Sequence, residues 1–228
     1  HLATFLEGFG GVYFMASEDA VPNDKDKSLL LNYKTILNSK ASEESLANFA
    51  GWEPCHGRFM LHHPWHQYLE IGNLMRHCSY RIDVLNGFLD SDHTGRTKVG
   101  RKFEEACTGT SSESGKAMKA LAQAVKARTR PSLANPHITA SKSAAQTLKS
   151  LLQVDTDLPA KIHPAVVASL LIEVVSCVQK MAESVEELAA LARFEGVEGK
   201  SGHFEGDASK SIPAPTDRCP SIVLNVGS

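Results

Sequence analysis

The chain has 228 residues, 42% of them hydrophobic and 22% charged, enough for one core of ordinary size and inconsistent with a disordered polypeptide. A formal net charge of -2 excludes a general nucleic-acid binder, which needs a clear excess of Lys and Arg for phosphate contacts. Five cysteines, Cys55, Cys78, Cys107, Cys177 and Cys219, are odd in number and widely spaced, with no CxxC, so a reducing cytosol fits better than a disulfide framework.

In chain order, the first expected element is a helix from Leu2 to Ala16, with Leu2, Phe5, Leu6, Phe9, Val12 and Tyr13 on one side. Gly8, Gly10 and Gly11 weaken it by roughly 1 kcal/mol each relative to alanine. No signal-peptide pattern precedes it, and a start at His1 rather than Met is read as a fragment or processed product. Asn23 to Asn38 and Ala41 to Ala50 follow as helices, the latter with Glu43 and Glu44 at its positive end.

Next comes WEPCHGRFMLHHPWHQY, Trp52 to Tyr68, holding both tryptophans and four of the ten histidines. Cys55, His56, His62, His63 and His66 offer zinc ligands, yet their spacing matches no standard zinc pattern, and no metal is expected. Cys55 beside His56 suggests a nucleophile and base, but neighbours in sequence do not face each other and no oxyanion turn or orienting acid accompanies them. No catalytic residue and no cofactor is therefore expected. The alternative is a structured connector, with Trp52 and Trp65 wedging a loop between helices and Glu53 paired with Arg58 across the turn at Pro54 and Gly57.

Tyr68, Ile71, Met75, Cys78, Ile82, Leu85 and Leu89 then recur at steps of three and four, which predicts a long amphipathic helix. Between them lie Arg76, His77 and Arg81. With Arg58 they are candidates to hold an anion, or they form a solvated helix face. Thr110 and Glu113 read as a capping box for a helix running to Arg128, with Ser111, Ser112 and Ser114 at its start as candidate phosphorylation sites or simple caps. After a breaker stretch, Arg130 to His137, a helix is expected from Ser141 to Val154.

A second long helix carries Val167, Leu171, Val174, Val178, Met181, Val185, Leu188 and Ala192 as an unbroken seam. Both long helices follow a His-Pro pair, His63-Pro64 and His163-Pro164, and proline suits a first helical turn. The most apolar run, Ala165 to Val178, has fourteen residues including Glu173, too short for a bilayer span of about 20, so the chain is expected to be soluble. From 195 to 228, glycine and proline punctuate a polar tail. The expected fold is all-α: a multi-helix bundle of six or seven helices over residues 1 to 194, two of them long and amphipathic, plus an irregular C-terminal tail.

NYKTILNSKASEESLANFAGWEPCHGRFMLHHPWHQY, Asn32 to Tyr68, resembles the cytosolic region of plant aluminium-activated malate transporters. The match continues in RHCSYRIDVLNGFL, SSESGKAMKAL and LLIEVVSCVQKMAESVEELAALARF, and so covers most of residues 1 to 194. WEPxHG and HPWxQY carry the most specific part, Trp52, Glu53, Pro54, His56 and Gly57 with His63, Pro64 and Trp65. Where the family often has RFRFRHPW this chain has RFMLHHPW, without arginine at Met60 and His62.

The resemblance implies an all-α cytosolic regulatory and dimerisation domain of an anion channel, cut just after the last membrane helix and acting on a transmembrane pore absent from this chain. It implies a homodimer, malate or other anions as permeant or regulatory ligands, and a position on the cytosolic side of the plasma membrane, the vacuolar membrane being the alternative. Acidic positions that influence transport fall on Glu43, Glu44 and Glu53. Aluminium, a hard cation, prefers such oxygen ligands to the histidine cluster. The competing readings are a soluble helical adaptor or coiled-coil scaffold and a zinc-dependent hydrolase.

Overall fold

The computed structural model describes residues 1–15, 34–51, 64–90, 100–154 and 162–194. The elements are α1 (Leu2–Met15), α2 (Lys34–Leu37), α3 (Lys40–Gly51), α4 (Trp65–Asp90), α5 (Arg101–Ala127), a 3₁₀ turn (Ser132–Ala134), α6 (Asn135–Val154) and α7 (Ile162–Leu191). No strand occurs among the described residues, as the apolar periodicity requires. Most of the helix expected from Asn23, and the whole tail from 195, lie outside the described residues.

The predicted seam of α7 forms the centre of the core. Val167, Leu171, Val174, Val178 and Leu188 are fully buried, with Met181 and Val185 close behind. They pack on α4, α5 and α6. The stripe of α4 meets them from the other side, with Cys78, Ile82 and Leu85 inaccessible to solvent. The two helices run antiparallel: Gln67 reaches Ser184, Arg81 reaches Glu173, and Phe88 meets the His163 ring at 5.5 Å.

Two expectations about long helices are corrected. α5 is a third long helix of 27 residues beginning at Arg101, so Thr110 and Glu113 form no capping box but sit mid-helix. The run Thr110 to Ser114 resembles a helix start because serine and threonine compete for backbone bonds. Here those hydroxyls donate back to their own helix instead: Thr110 Oγ1 to the Ala106 carbonyl at 2.7 Å and Ser114 Oγ to the Thr110 carbonyl at 2.7 Å. α6 likewise starts at Asn135 rather than Ser141, since Pro136 occupies its first turn without losing a helical bond. Pro64 immediately precedes α4, while His163 and Pro164 lie inside the first turn of α7.

One of the three glycines expected to weaken α1, Gly10, instead helps to seat it. Phe5, Leu6 and Phe9 are fully buried, and α1 lies along α5. A Cβ on Gly10 would fall 2.8 Å from the Thr108 Cα, and one on Gly115 2.7 Å from the Ala3 carbonyl oxygen. Those two glycines let the backbones approach. Gly8 and Gly11 face open space.

The two kinds of glycine should respond with opposite sign. Gly10→Ala and Gly115→Ala are expected to cost about 1–3 kcal/mol through overpacking, whereas Gly8→Ala should gain about 0.5–1 kcal/mol of helix propensity. Urea midpoints of the single variants check this, and a gain at Gly10 would refute the close approach.

Two helices end in the same way. Arg128 and Arg193 adopt left-handed φ of 54° and 53°, and the next residues, Thr129 and Phe194, bond back to the Ala124 and Ala189 carbonyls. Buried Phe194 closes the second end against Leu188 and Ala189. Because a left-handed L-residue is strained, Arg193→Gly is expected to stabilise the chain by up to about 1 kcal/mol, readable as a raised thermal midpoint.

One correction concerns membranes. Helical order extends well past the fourteen-residue run, and His163–Leu191 is long and apolar enough to cross a bilayer by length and composition. In the bundle, however, its apolar stripe is spent on the neighbouring helices, and its outer face carries Glu173, Lys180, Glu183, Glu186 and Glu187.

Candidate functional site

The segment with the most specific sequence, Trp52 to His63, lies outside the described residues, and with it Glu53, Pro54, His56, Gly57 and Arg58. The helices that enter and leave it are described. α3 delivers the chain into the segment at Gly51, and α4 takes it up at Trp65 after half-buried Pro64.

These two helices are joined by a pair that sequence reading assigned to different sites. Arg76 Nη1 on α4 lies 2.5 Å from Glu43 Oε2 on α3, with the Arg76 side chain only 8% exposed. Arg76 is therefore not on a solvated helix face, as expected of an anion ligand open to the cytosol; it is buried and already matched by a carboxylate. Ser39 Oγ, just ahead of α3, lies 2.5 Å from the other oxygen of Glu43 and 2.8 Å from the Ile36 carbonyl, its one proton shared between these two acceptors. Gly72 makes room, since a Cβ there would fall 2.5 Å from Glu43 Oε2.

Burial pushes the Glu43 carboxyl up, but the bonds from Ser39 and Arg76 and the guanidinium charge outweigh it and hold the group below its usual range. Glu44, next to it, points outward and reaches Lys40 at 3.8 Å, an exposed pair of little energetic weight.

The start of α4 is tied to α7. Gln67, the glutamine of HPWxQY, turns its amide NH2 to the Ser184 carbonyl at 3.2 Å, Ser184 Oγ at 3.0 Å and Glu187 at 3.0 Å, two protons shared among three acceptors. Tyr68 packs with Ile71 and Val125 on Leu188, Ala189 and Phe194, and its ring lies 6.0 Å from that of Trp65. Burial raises the Tyr68 phenol, against the opposing pull of Arg128. Further along α4, Arg81 Nε meets Glu173 at 2.7 Å while its Nη1 donates to the His77 carbonyl at 2.8 Å.

Gln67, Ser184, Ser39 and Glu173 escaped the sequence reading. The glutamine and tyrosine were in the quoted motif, but nothing local indicates a partner 117 residues away.

The serine candidates are corrected by burial. Ser111 and Ser114 are inaccessible to solvent, in the face of α5 against its neighbours, so neither is presented to a kinase in this fold. Ser112 is half-buried. Beside them Glu113 bonds Lys116 at 2.6 Å and His137 Nδ1 at 2.8 Å, and the Lys116 bond, then the His137 bond, lower its pKa. Of the five zinc-type candidates only His66 is described, and it is exposed on the first turn of α4. Cys78, Cys107 and Cys177 are free, and burial pushes all three thiols up, Cys107 to about 12, which leaves little nucleophilic thiolate.

The arrangement is thus a brace rather than a pocket: Glu43–Arg76 fastens the entering helix to the leaving helix, and Gln67 fastens the leaving helix to the core seam.

Comparison with known proteins finds relatives for this chain. The model of the family described as aluminium activated malate transporter matches residues 1–161. The chain is 41% identical over 218 residues to Aluminum-activated malate transporter 2 of Arabidopsis thaliana, covering 93% of this chain and 44% of that protein. It is 41% identical over 197 residues to Aluminum-activated malate transporter 7 of Arabidopsis thaliana, covering 83% and 38%. Aluminum-activated malate transporter 1 of Triticum aestivum is 35% identical over 234 residues, covering 98% and 49%. The chain therefore spans about half the length of the curated relatives it matches.

Proposed function

The chain belongs to the aluminium activated malate transporter family, one of transporters rather than enzymes, and we propose that it is the cytosolic regulatory and dimerisation domain of a malate-permeable anion channel. Its pore lies in a transmembrane part outside this chain. Residues 1 to 194 form the domain, 195 to 228 its tail, and the parent sits in the plasma membrane with this domain in the cytosol.

The observation that carries the reading is the burial of α7. It is the described helix best suited to a bilayer, yet its apolar seam is consumed by α4, α5 and α6. Placing its charged outer face in hydrocarbon would cost about 2.5–3.5 kcal/mol for each Asp, Lys or Arg near the centre, with Glu similarly disfavoured. Such a helix belongs to a water-exposed bundle, which leaves permeation to the rest of the protein.

The bundle acts by mechanical coupling. Glu43–Arg76 ties α3 to α4, the helices on either side of the WEPxHG to HPW segment, and Gln67 ties α4 to α7. A ligand, phosphate group or proton that favours one packing over another by a few kcal/mol shifts the closed-to-open balance. Glu43 influences transport as half of this brace.

Joining this chain to the membrane half of its parent and recording anion current, against the membrane half alone, tests the reading. The expected result is current in both cases, with its dependence on cytosolic malate present only in the joined protein. Identical regulation without this chain would overturn it.

A further inference from the structure

Charge is segregated along this chain in a way the brace does not use. Seven of its 24 Lys and Arg residues, and none of its 26 Asp and Glu residues, lie between Gly115 and Val154. That stretch is the second half of α5, the 3₁₀ turn and α6. Three of its cations have carboxylate partners outside that stretch: Lys116 with Glu113 one turn earlier on α5, Lys119 with Glu7, and Arg130 with Glu186 at 3.4 Å. Lys126 and Arg128, exposed at the end of α5, have no ion pair among the described residues.

At the apex of the turn Leu133 is 67% exposed. It is not a loose side chain, for Pro131 and Ala134 on either side of it are buried and fix the turn to the bundle. A leucine held out of the core just after Arg128 and Arg130 is the chemistry of an interfacial anchor: an apolar tip at the headgroup boundary with cations beside it in the chain.

The geometry gives this tip a direction. Gly10 lies against Thr108, and Ala3 and Glu7 lie against Gly115, so α1 and α5 are antiparallel. The N-terminal end of α1 and the α5–α6 turn therefore face the same way. The start of α4 and the end of α7 share that end, through Gln67 and Ser184 and through the packing of Val125 on Leu188. On the function proposed above, on which this inference rests, the pore precedes α1, and the turn faces the membrane.

We propose that the α5–α6 turn docks on the anionic lipid headgroups of the cytosolic leaflet, with Lys126, Arg128 and Arg130 on the headgroups and Leu133 at the interface. Charge complementarity selects this partner: the cytosolic leaflet is the negatively charged surface nearest to the turn, and each Lys or Arg close to it strengthens binding about fivefold. Arg130 also holds Glu186 of α7, an exposed pair that a headgroup phosphate can displace. Lipid contact thereby reaches the core helix that Gln67 ties to α4.

Sedimentation of the whole 228-residue chain with vesicles of phosphatidylcholine, alone or mixed with phosphatidylserine, tests this. The expected result is binding only to the mixed vesicles, weakening as salt is raised. The double variant Arg128→Glu, Arg130→Glu should lower partition at least twentyfold, at about fivefold per cation lost, and Leu133→Asp should lower it further in combination. Arg101→Glu with Lys102→Glu, at the opposite end of α5, should leave it unchanged. Equal binding to neutral vesicles, undiminished binding of the turn variants, or an equal loss in the Arg101 and Lys102 variant would each overturn the proposal. Failure here leaves the current recordings of the joined channel untouched. Failure of the channel reading shows in those recordings, while vesicle binding through the turn persists.

Discussion

Phe9→Ala is expected to destabilise the chain by about 3–5 kcal/mol, one of the two largest effects of any single substitution considered. Phe9 is fully buried and stacks on Tyr13 with ring centroids 5.4 Å apart, with Phe5 at 5.8 Å on the other side. Truncation removes the transfer energy of the ring and leaves a void that the two flanking rings cannot fill, since both are pinned by the close approach of α1 to α5. α1 is then a wall of the core and not a fraying stub. Urea unfolding followed by far-ultraviolet circular dichroism measures the effect, and a loss below 1 kcal/mol would mean that α1 is dispensable to the bundle.

Glu43→Gln is the second. Arg76 stays buried while its charge partner is removed, and breaking such a pair costs about 3–5 kcal/mol when both groups are inaccessible. The Glu43 side chain is 32% exposed, so water reaches one side of the pair, and a loss below that range, about 2–3 kcal/mol, is expected. Adding Arg76→Met should return part of the loss, because the orphaned guanidinium disappears with it. A fully additive double variant would show that the two groups do not act as a pair.

The same pair sets a pH dependence of known sign. The Glu43 carboxyl is held below its ordinary value of 4.5 in the folded chain, so the unfolded chain takes up its proton first as pH falls. The stabilisation is complete above the ordinary value and is lost as pH drops through the lowered folded one. Glu113, held low by Lys116 and then His137, adds a contribution of the same sign. Acid unfolding of the Glu43→Gln variant should accordingly be shallower below pH 4.5 than that of the unaltered chain.

Which of these features can be read from sequence depends on how far apart their parts lie. The seams of α4 and α7 were fully legible, because a buried helix face writes its period into consecutive residues, from Val167 to Leu188 in one case and Cys78 to Leu85 in the other. Family membership was legible from WEPxHG and HPWxQY, although their own geometry is mostly outside the described residues. The start of α5 was not legible. Thr110, Ser111 and Ser114 carry the composition of a cap, and only the helices packed on α5 from distant parts of the chain make small hydroxyl residues favourable in a buried face.

Arg76 illustrates the same limit in charge. On a helical wheel it sits at the edge of the apolar stripe, and an edge position is equally compatible with water and with a partner. Glu43, 33 residues earlier, decides the matter, and nothing in either local sequence names the other. The glycines of α1 carried a usable signal that propensity alone misreads: of Gly8, Gly10 and Gly11, only Gly10 lies against α5.

The central proposal is that Glu43 and Arg76, by tying α3 to α4, set the gating of the joined channel. It is tested most directly by recording anion currents from the joined channel carrying Glu43→Arg, Arg76→Glu, or both together. The brace predicts that each single reversal displaces the activation curve and that the exchanged pair moves it back toward the unaltered position. Single reversals that leave activation in place in a folded, conducting channel, or an exchanged pair no closer to normal than the worse single variant, would contradict it.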